Sequence, residues 1–287
     1  MKNLKLIQTK SELKALIKEL KNVSTGLVPT MGALHNGHKS LIENSVKEND
    51  FTVVSVFVNP TQFGPSEDYD KYPRTLEKDL EIAKEAGADV VFAPNPKEMY
   101  EEIYFEEKET TLVCPPYKYV NRLCGKSRPG HFDGVCTVVS KLFNLVKPNR
   151  AYFGKKDAQQ LFIIKRMVKE LDFDIEIKEC DIVREENGLA ISSRNSYLSE
   201  NDKKQAPLIY LSLKKVKELF QNGVNEAETL IDTAITYLKD FEVEYVEIVS
   251  KNDFCPPVSK NVQKGDIMLI AVRTKESRTR LIDNIEL

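Results

Sequence analysis

The sequence predicts an α/β protein, a doubly wound parallel sheet with helices on both faces, followed by a second, smaller α+β domain. Three observations predict it. Through the first two-thirds of the 287 residues, short β-branched runs alternate with segments of helical spacing. The turns rich in Gly, His and amide side chains follow directly on such runs, where ligands of open parallel sheets bind. From about Asp181 the texture changes to a long helical stretch and then to alternating strands. These place a first domain over residues 1–180 and a second over 181–287.

The elements read in order. Ser11 reads as an N-cap, with Leu13, Leu16, Ile17 and Leu20 as the apolar stripe of a first helix. Gly26 to Thr30 is an apolar run too short for a helix, and Met31 to Gly37 a turn. Lys39 to Lys47 is helical, and Phe51 to Val58 is a buried strand. Leu76 to Glu85 is a helix stopped by Gly87, and Ala88 to Ala93 a strand stopped by Pro94 and Pro96. After a less regular stretch, Val135 to Val146 is helical, Arg150 to Phe153 a strand, Asp157 to Leu171 a helix and Ile175 to Glu179 a strand. Beyond the boundary, Asp202 to Phe241 is mostly helical with a break at Asn222-Gly223. Val243 to Val249, Ile267 to Val272 and Leu281 to Ile285 are strands.

Composition narrows the function classes. A formal net charge of -2 lacks the broad positive field of a nucleic-acid binder, though it leaves room for a small basic pocket. No apolar run reaches the roughly 18 residues of a membrane span, and Lys and Glu interrupt the first twenty residues too often for a signal peptide. The five cysteines are odd in number and contain no C-x-x-C pair, which predicts reduced thiols in a cytoplasmic protein.

Histidine is scarce, and its placement is informative. Of three in the chain, His35 and His38 share the turn PTMGALHNGH (29–38), and His131 lies in another glycine-rich turn. In the first turn, glycines let the backbone approach a ligand, and a helix N-terminus offers N–H groups to phosphate. The imidazoles can steady charge on a pentacovalent phosphorus. Capping histidines or a half-built metal site are the other readings, the latter short of the usual three ligands.

Four further segments carry polar chemistry. Asn59 and Gln62, in VNPTQFG, offer neutral amides that read a hydroxyl and a carboxylate together, or merely make a turn. The charged, tyrosine-rich run Pro65 to Tyr72 has the composition of a mobile flap. Gly125 to Gly134, with Lys126, Arg128 and His131, reads as an anion-binding loop or as a solvated basic turn. In Gly154-Lys155-Lys156-Asp157-Ala-Gln159-Gln160, Asp157 and Gln160 share a helical face. There Lys156 is a point charge for phosphate, and Asp157 serves either a ligand or an N-cap. Ser192-Ser193-Arg194 suits phosphate gripping, and by itself also suits a surface turn.

Taken together and in order, PTMGALHNGH (29–38), SVFVNPTQFG (55–64), SRPGHFDGV (127–135), YFGKKDAQQL (152–161) and REENGLAISSRNSYLS (184–199) resemble the pantothenate synthetase (pantoate–β-alanine ligase) family. That family belongs to the nucleotidyltransferases with a HIGH-type motif. The resemblance implies a Rossmann-like first domain and an ATP-dependent ligase. In it, pantoate is adenylated with loss of pyrophosphate, and β-alanine then displaces AMP.

Residue by residue, the resemblance implies that Met31, Gly32, Ala33, Leu34, His35, Asn36, Gly37 and His38 line the ATP site, with His38 catalytic and His35 assisting. Gln62 and Gln160 would hold pantoate, Gln62 also lying near β-alanine. Gly154 and Asp157 would face the ribose, Lys156 would neutralise phosphate charge, Val183 would touch the adenine, and Lys155 would belong to the same ATP-binding set. Ile191, Ser192, Ser193 and Arg194 would close over the phosphates as a lid. Mg²⁺ would accompany ATP with no dedicated protein metal site, and the assembly would be a homodimer without nucleic-acid or membrane partners. Two departures stand out: Ile191 replaces a common Met, and Lys155 replaces a common Glu, adding charge beside Lys156. Another adenylyl transferase, a non-catalytic nucleotide sensor and an RNA-binding synthetase fragment are the competing readings. The pair Gln62/Gln160, the intact cationic set and the net charge respectively oppose them.

Overall fold

The computed structural model describes residues 4–65, 67–100, 110–257 and 260–287. Ser66, within the run read as a flap, and residues 101–109, within the irregular stretch, lie outside the described residues. By Cα proximity the chain divides into two compact units. The first comprises Met1–Val120, Arg128–Lys155 and Gln160–Asp181, and the second Asn121–Ser127, Lys156–Gln159 and Ile182–Leu287.

The first unit is built on a six-stranded parallel sheet. In chain order its strands are β1 (Lys5–Ile7), β2 (Thr25–Thr30), β3 (Phe51–Val56), β4 (Val90–Phe92), β5 (Arg150–Gly154) and β6 (Glu176–Cys180). In space they run β1-β4-β3-β2-β5-β6. Helices α1 (Lys10–Glu19), α2 (Asn36–Glu48), α3 (Leu76–Glu85), α4 (His131–Val146) and α5 (Ala158–Glu170) connect them. The expected doubly wound α/β fold is thus present. β2 is the strand from which the chain winds both ways, and ligands of such sheets bind beyond the C-terminal ends there.

The register shows why an opening forms at that point. β2 pairs with β3 along its whole length, from Thr25↔Phe51 to Thr30↔Val56. With β5 it pairs only at Gly26↔Arg150 and Leu27↔Ala151. Beyond Leu27 the strands part, and Val28, buried Tyr152 and Val54 fill the sheet beneath the gap with Leu41, Ile42 and Val91.

Element ends differ from the sequence reading for local reasons. β1 is absent from that reading, because three residues of which only Ile7 is buried carry no period to detect. α1 is capped by Thr9 rather than Ser11: the Thr9 hydroxyl accepts the Glu12 N–H at 3.2 Å and donates to the Glu12 carboxylate at 2.8 Å. That is the spacing of a capping box, which Ser11 cannot make. β3 stops at Val56, where the Asn59 turn begins, although the Phe57 N–H still reaches the Thr30 carbonyl at 3.1 Å. α4 begins at His131, one turn earlier than expected, and all but three of its sixteen residues are buried. A helix apolar on every face belongs in the interior.

The second unit carries a short helix Glu200–Gln205, then α6 (Pro207–Gln221), α7 (Ala227–Tyr237), β7 (Glu242–Val249), β8 (Ile267–Arg273) and β9 (Arg280–Glu286). The three strands form an antiparallel sheet in the order β7-β8-β9. Leu213, Val216, Leu230, Met268, Ile270 and Val272 make its core. α6 starts at a proline, which needs no N–H there, and ends where Gly223 takes φ +93°, at the expected break.

Candidate active site

The loop leaving β2 is held by its own backbone geometry and by hydrogen bonds that reach β3 and α3. Gly32 and Ala33 both adopt positive φ, +80° and +49°. The Thr30 hydroxyl donates to the Ser55 carbonyl at 2.6 Å and accepts the Gly32 N–H at 3.1 Å. From the first turn of α3, the fully buried Asp79 accepts the Ala33 and Leu34 N–H groups at 3.1 and 2.7 Å and the Thr75 hydroxyl at 3.2 Å. Burial raises its carboxyl above the usual aspartate value, and these hydrogen bonds pull the other way. A Cβ on Gly32 would lie 2.9 Å from the Asp79 carboxylate and 2.9 Å from Val56, so only glycine fits.

His35 is the N-cap of α2, and its Nδ1 accepts the Gly37 N–H at 3.1 Å. The ring proton of a neutral His35 therefore sits on Nε2. The His38 ring packs on it with centroids 4.0 Å apart. The sequence reading has these glycines and the helix start presenting open N–H groups to phosphate. Instead the amides of Gly32, Ala33, Leu34 and Gly37 are engaged within the protein. Beside these amides the segment carries its paired imidazoles.

Leaving β3, the turn Pro60–Gln62 is capped by Asn59. Asn59 is wholly buried, and its amide is committed. Its Oδ1 accepts from Tyr100 OH at 2.9 Å and Thr61 Oγ1 at 3.0 Å, while Nδ2 donates to Gln62 Oε1 at 3.0 Å and the Gly134 carbonyl at 3.1 Å. Burial pushes the Tyr100 hydroxyl up to about 12, so it stays a donor. Asn59 therefore orients Gln62 rather than facing a ligand. Gln62 Nε2 in turn donates to the Met31 sulfur at 2.9 Å, bringing two sequence-predicted site residues together. α4 can approach this turn because residue 134 is glycine: a Cβ there would lie 2.4 Å from the Thr61 carbonyl oxygen.

At the end of β5, Gly154 leads into a 3-10 turn, Lys155–Asp157, and then into α5, whose first turn carries half-buried Gln160. Lys155 does not simply add charge beside Lys156, since its Nζ pairs with Asp181 at 2.6 Å.

In the second unit, Lys156 Nζ lies 3.9 Å from Asp157, and its backbone carbonyl accepts from Asn284 Nδ2 at 2.9 Å. Val183 and Ile191 face each other across a hairpin, the Ile191 N–H reaching the Val183 carbonyl at 3.0 Å. Ser192 caps the following 3-10 turn through the Arg194 N–H at 3.3 Å, and Asn195 ties that turn to the Ala190 carbonyl at 3.2 Å. The hairpin is anchored by Arg184. It makes a two-pronged pair with buried Asp283 at 2.6 and 2.9 Å and stacks 3.8 Å over the Tyr210 ring.

Sequence reasoning missed Asp79 and the Arg184–Asp283 pair. A signal for Asp79 was present: it falls beside Leu76, Leu80 and Ala83 on the buried stripe of α3, where a charge needs partners. Among the described residues, no group of three or more His, Cys, Asp or Glu side chains is placed to hold a metal ion.

Comparison with known proteins places this arrangement. The family model described as pantoate-beta-alanine ligase matches residues 5–286. A pantothenate synthetase of Acetivibrio thermocellus is 50% identical, over 98% of this chain and 99% of its own. The crystal structure of pantothenate synthetase from Thermus thermophilus superposes with a TM-score of 0.91 at 43% identity, over 100% and 99% of the two chains. A pantoate-beta-alanine ligase from Francisella tularensis, solved with beta-gamma ATP and beta-alanine, gives 0.80 at 34% identity, over 99% and 98%. With its fold, its loop set and a match along nearly its whole length in agreement, this chain belongs to the pantoate-beta-alanine ligase family.

Proposed function

We propose that the chain is an ATP-dependent ligase that condenses pantoate with β-alanine through a pantoyl adenylate. The observation that carries this reading is the pairing of two features at the C-terminal edge of the sheet. Stacked imidazoles stand at the start of α2, beside the gap between β2 and β5, and an oriented amide stands at the end of β3. The first suits a polyphosphate and the second a small hydroxy acid. Family membership and the ATP- and β-alanine-bound Francisella relative support it.

In the first step a pantoate carboxylate oxygen attacks the α-phosphorus of ATP. The bond to the β-phosphate bridging oxygen breaks, and pyrophosphate leaves with the electron pair. His38, assisted by His35, donates to the non-bridging oxygens as charge builds on them, while Lys156 and Arg194 neutralise the leaving phosphates. Met31 to His38, Gly154, Lys155, Asp157, Val183, Ile191, Ser192 and Ser193 bind the nucleotide, and Gln62 and Gln160 bind pantoate. In the second step the neutral amine of β-alanine attacks the acyl carbon. The acyl–oxygen bond breaks, AMP departs, and the nitrogen loses a proton. Mg²⁺ enters as MgATP, part of the substrate, as is usual for this ion at phosphate-transfer sites.

The family resemblance further supports a homodimer, checked by mass in solution, and the odd, dispersed cysteines support a cytoplasmic location. The test of the activity is pantoate-dependent exchange of labelled pyrophosphate into ATP with Mg²⁺ and no β-alanine. Exchange that requires pantoate supports the adenylate. No exchange, and no AMP release once β-alanine is added, would rule the ligase out.

A further inference from the structure

The loop before α4 reads from sequence as an anion site, yet its Arg128 already holds an anion of the protein itself. Arg128 grips Glu67 with two prongs, Nε to Oε1 at 2.9 Å and Nη2 to Oε2 at 2.5 Å, and both side chains are largely buried. The same guanidinium reaches in two further directions. Nη1 meets His131 Nε2 at 2.9 Å, and Nη2 meets the Gln62 carbonyl at 3.4 Å. His131 completes the circuit, its Nδ1 lying 2.8 Å from that carbonyl.

Only one proton arrangement serves all these contacts. A carbonyl only accepts, so Nδ1 carries the hydrogen. A guanidinium only donates, so Nε2 is the acceptor and the ring is neutral. Glu67, Arg128 and His131 thus form a directed chain ending on the backbone of Gln62, on the peptide that sets where its side chain leaves the turn. Asn59 fixes the far end of the same side chain at Oε1. We propose that Arg128 and His131 are positioning residues that aim the Gln62 amide at the hydroxy-acid substrate, with Glu67 holding Arg128 in place. The proposal rests on the assignment of Gln62 to pantoate made above.

The test uses pyrophosphate exchange in the full-length enzyme, which yields KM for pantoate and for ATP separately. His131→Ala raises the pantoate KM about tenfold, the effect of one lost buried hydrogen bond, and leaves the ATP KM within about twofold. His131→Asn, whose Nδ2 donates from near the place of Nδ1, recovers most of that loss. Arg128→Lys keeps the charge but not the two-pronged grip and gives an intermediate rise of about threefold. Gln62→Ala raises the pantoate KM by itself, and adding His131→Ala to it changes KM by less than about twofold, since no amide is left to aim.

Equal rises in both KM values, or full additivity in the double variant, overturn the proposal. So does a rise confined to the KM for β-alanine in the complete reaction, which makes Arg128 a direct carboxylate contact instead. An unchanged pantoate KM in Gln62→Ala overturns it as well while leaving the ligase standing. Wild-type enzyme with neither pantoate-dependent exchange nor AMP release on adding β-alanine sinks both.

Discussion

His38 lies in the first turn of α2, after the loop that leaves β2, whereas Asp79 holds the backbone of that loop from α3. In the role proposed for His38, its replacement by Ala takes away a donor to the transition state, and the first half-reaction is expected to slow by about two orders of magnitude or more. Single-turnover adenylation within about threefold of wild type would refute that role. Asp79→Asn acts differently. The carboxylate serves three donors, whereas an amide turns its NH₂ towards one of them, at about 1–3 kcal/mol. The expected result is a raised KM for ATP with the pantoate KM unmoved. The pH sign follows from the raised carboxyl. The folded protein holds this proton to higher pH than the unfolded chain does, so the group favours folding most at low pH. That contribution is lost as pH rises through the folded value. The loop grip requires the ionised form, so ATP affinity falls with acidification while this residue adds no acid destabilisation. Comparing urea midpoints of wild type and Asp79→Asn against pH reads the difference.

At the scale of elements, α4 comes close to the Asn59 turn at Gly134. Gly134→Ala drives a methyl group into the Thr61 carbonyl, 2.4 Å from the ideal Cβ, and to 2.6 Å from the Gln62 N–H nitrogen. Overpacking against backbone costs about 1–3 kcal/mol, and the displaced Gln62 raises the pantoate KM. A normal melting temperature together with a normal KM would show that the turn gives way freely. This contact also marks where sequence reading stops. α3 was legible to the residue, because Leu76 and Leu80 mark its stripe and Gly87 takes the positive φ that ends it. The strand-to-helix junctions carrying His35, His38, Gln62 and Gln160 were legible because they follow buried strands. Partners across the chain were not. Glu67 meets Arg128 from 61 residues away, and the Asp79 carboxylate meets amides 45 and 46 residues upstream. Periodicity reports which face is buried, and it says nothing of which distant backbone a buried charge satisfies.

Over the whole molecule, each compact unit has its own means of holding its loops. In the second unit a buried ion pair, Arg184–Asp283, joins the hairpin of Val183 and Ile191 to the three-stranded sheet. Asp283→Asn leaves Arg184 charged and half-paired, at about 3–5 kcal/mol. The loss is expected in the unfolding of this unit, with weaker nucleotide binding following from a loosened hairpin. Differential scanning calorimetry and ATP titration on the same sample measure both, and an unshifted thermogram would contradict the role given to the pair. In the first unit the comparable join is the short seam between β2 and β5. Its two residue pairs tie Gly26 and Leu27 to Arg150 and Ala151, so the outer edge of β2 stays uncovered until β5 has been synthesised. At ribosomal speeds of about 5–20 residues per second, the nascent chain carries that bare edge for about 6–25 seconds. During that interval its unpaired N–H and C=O groups are a template on which a neighbouring chain can pair.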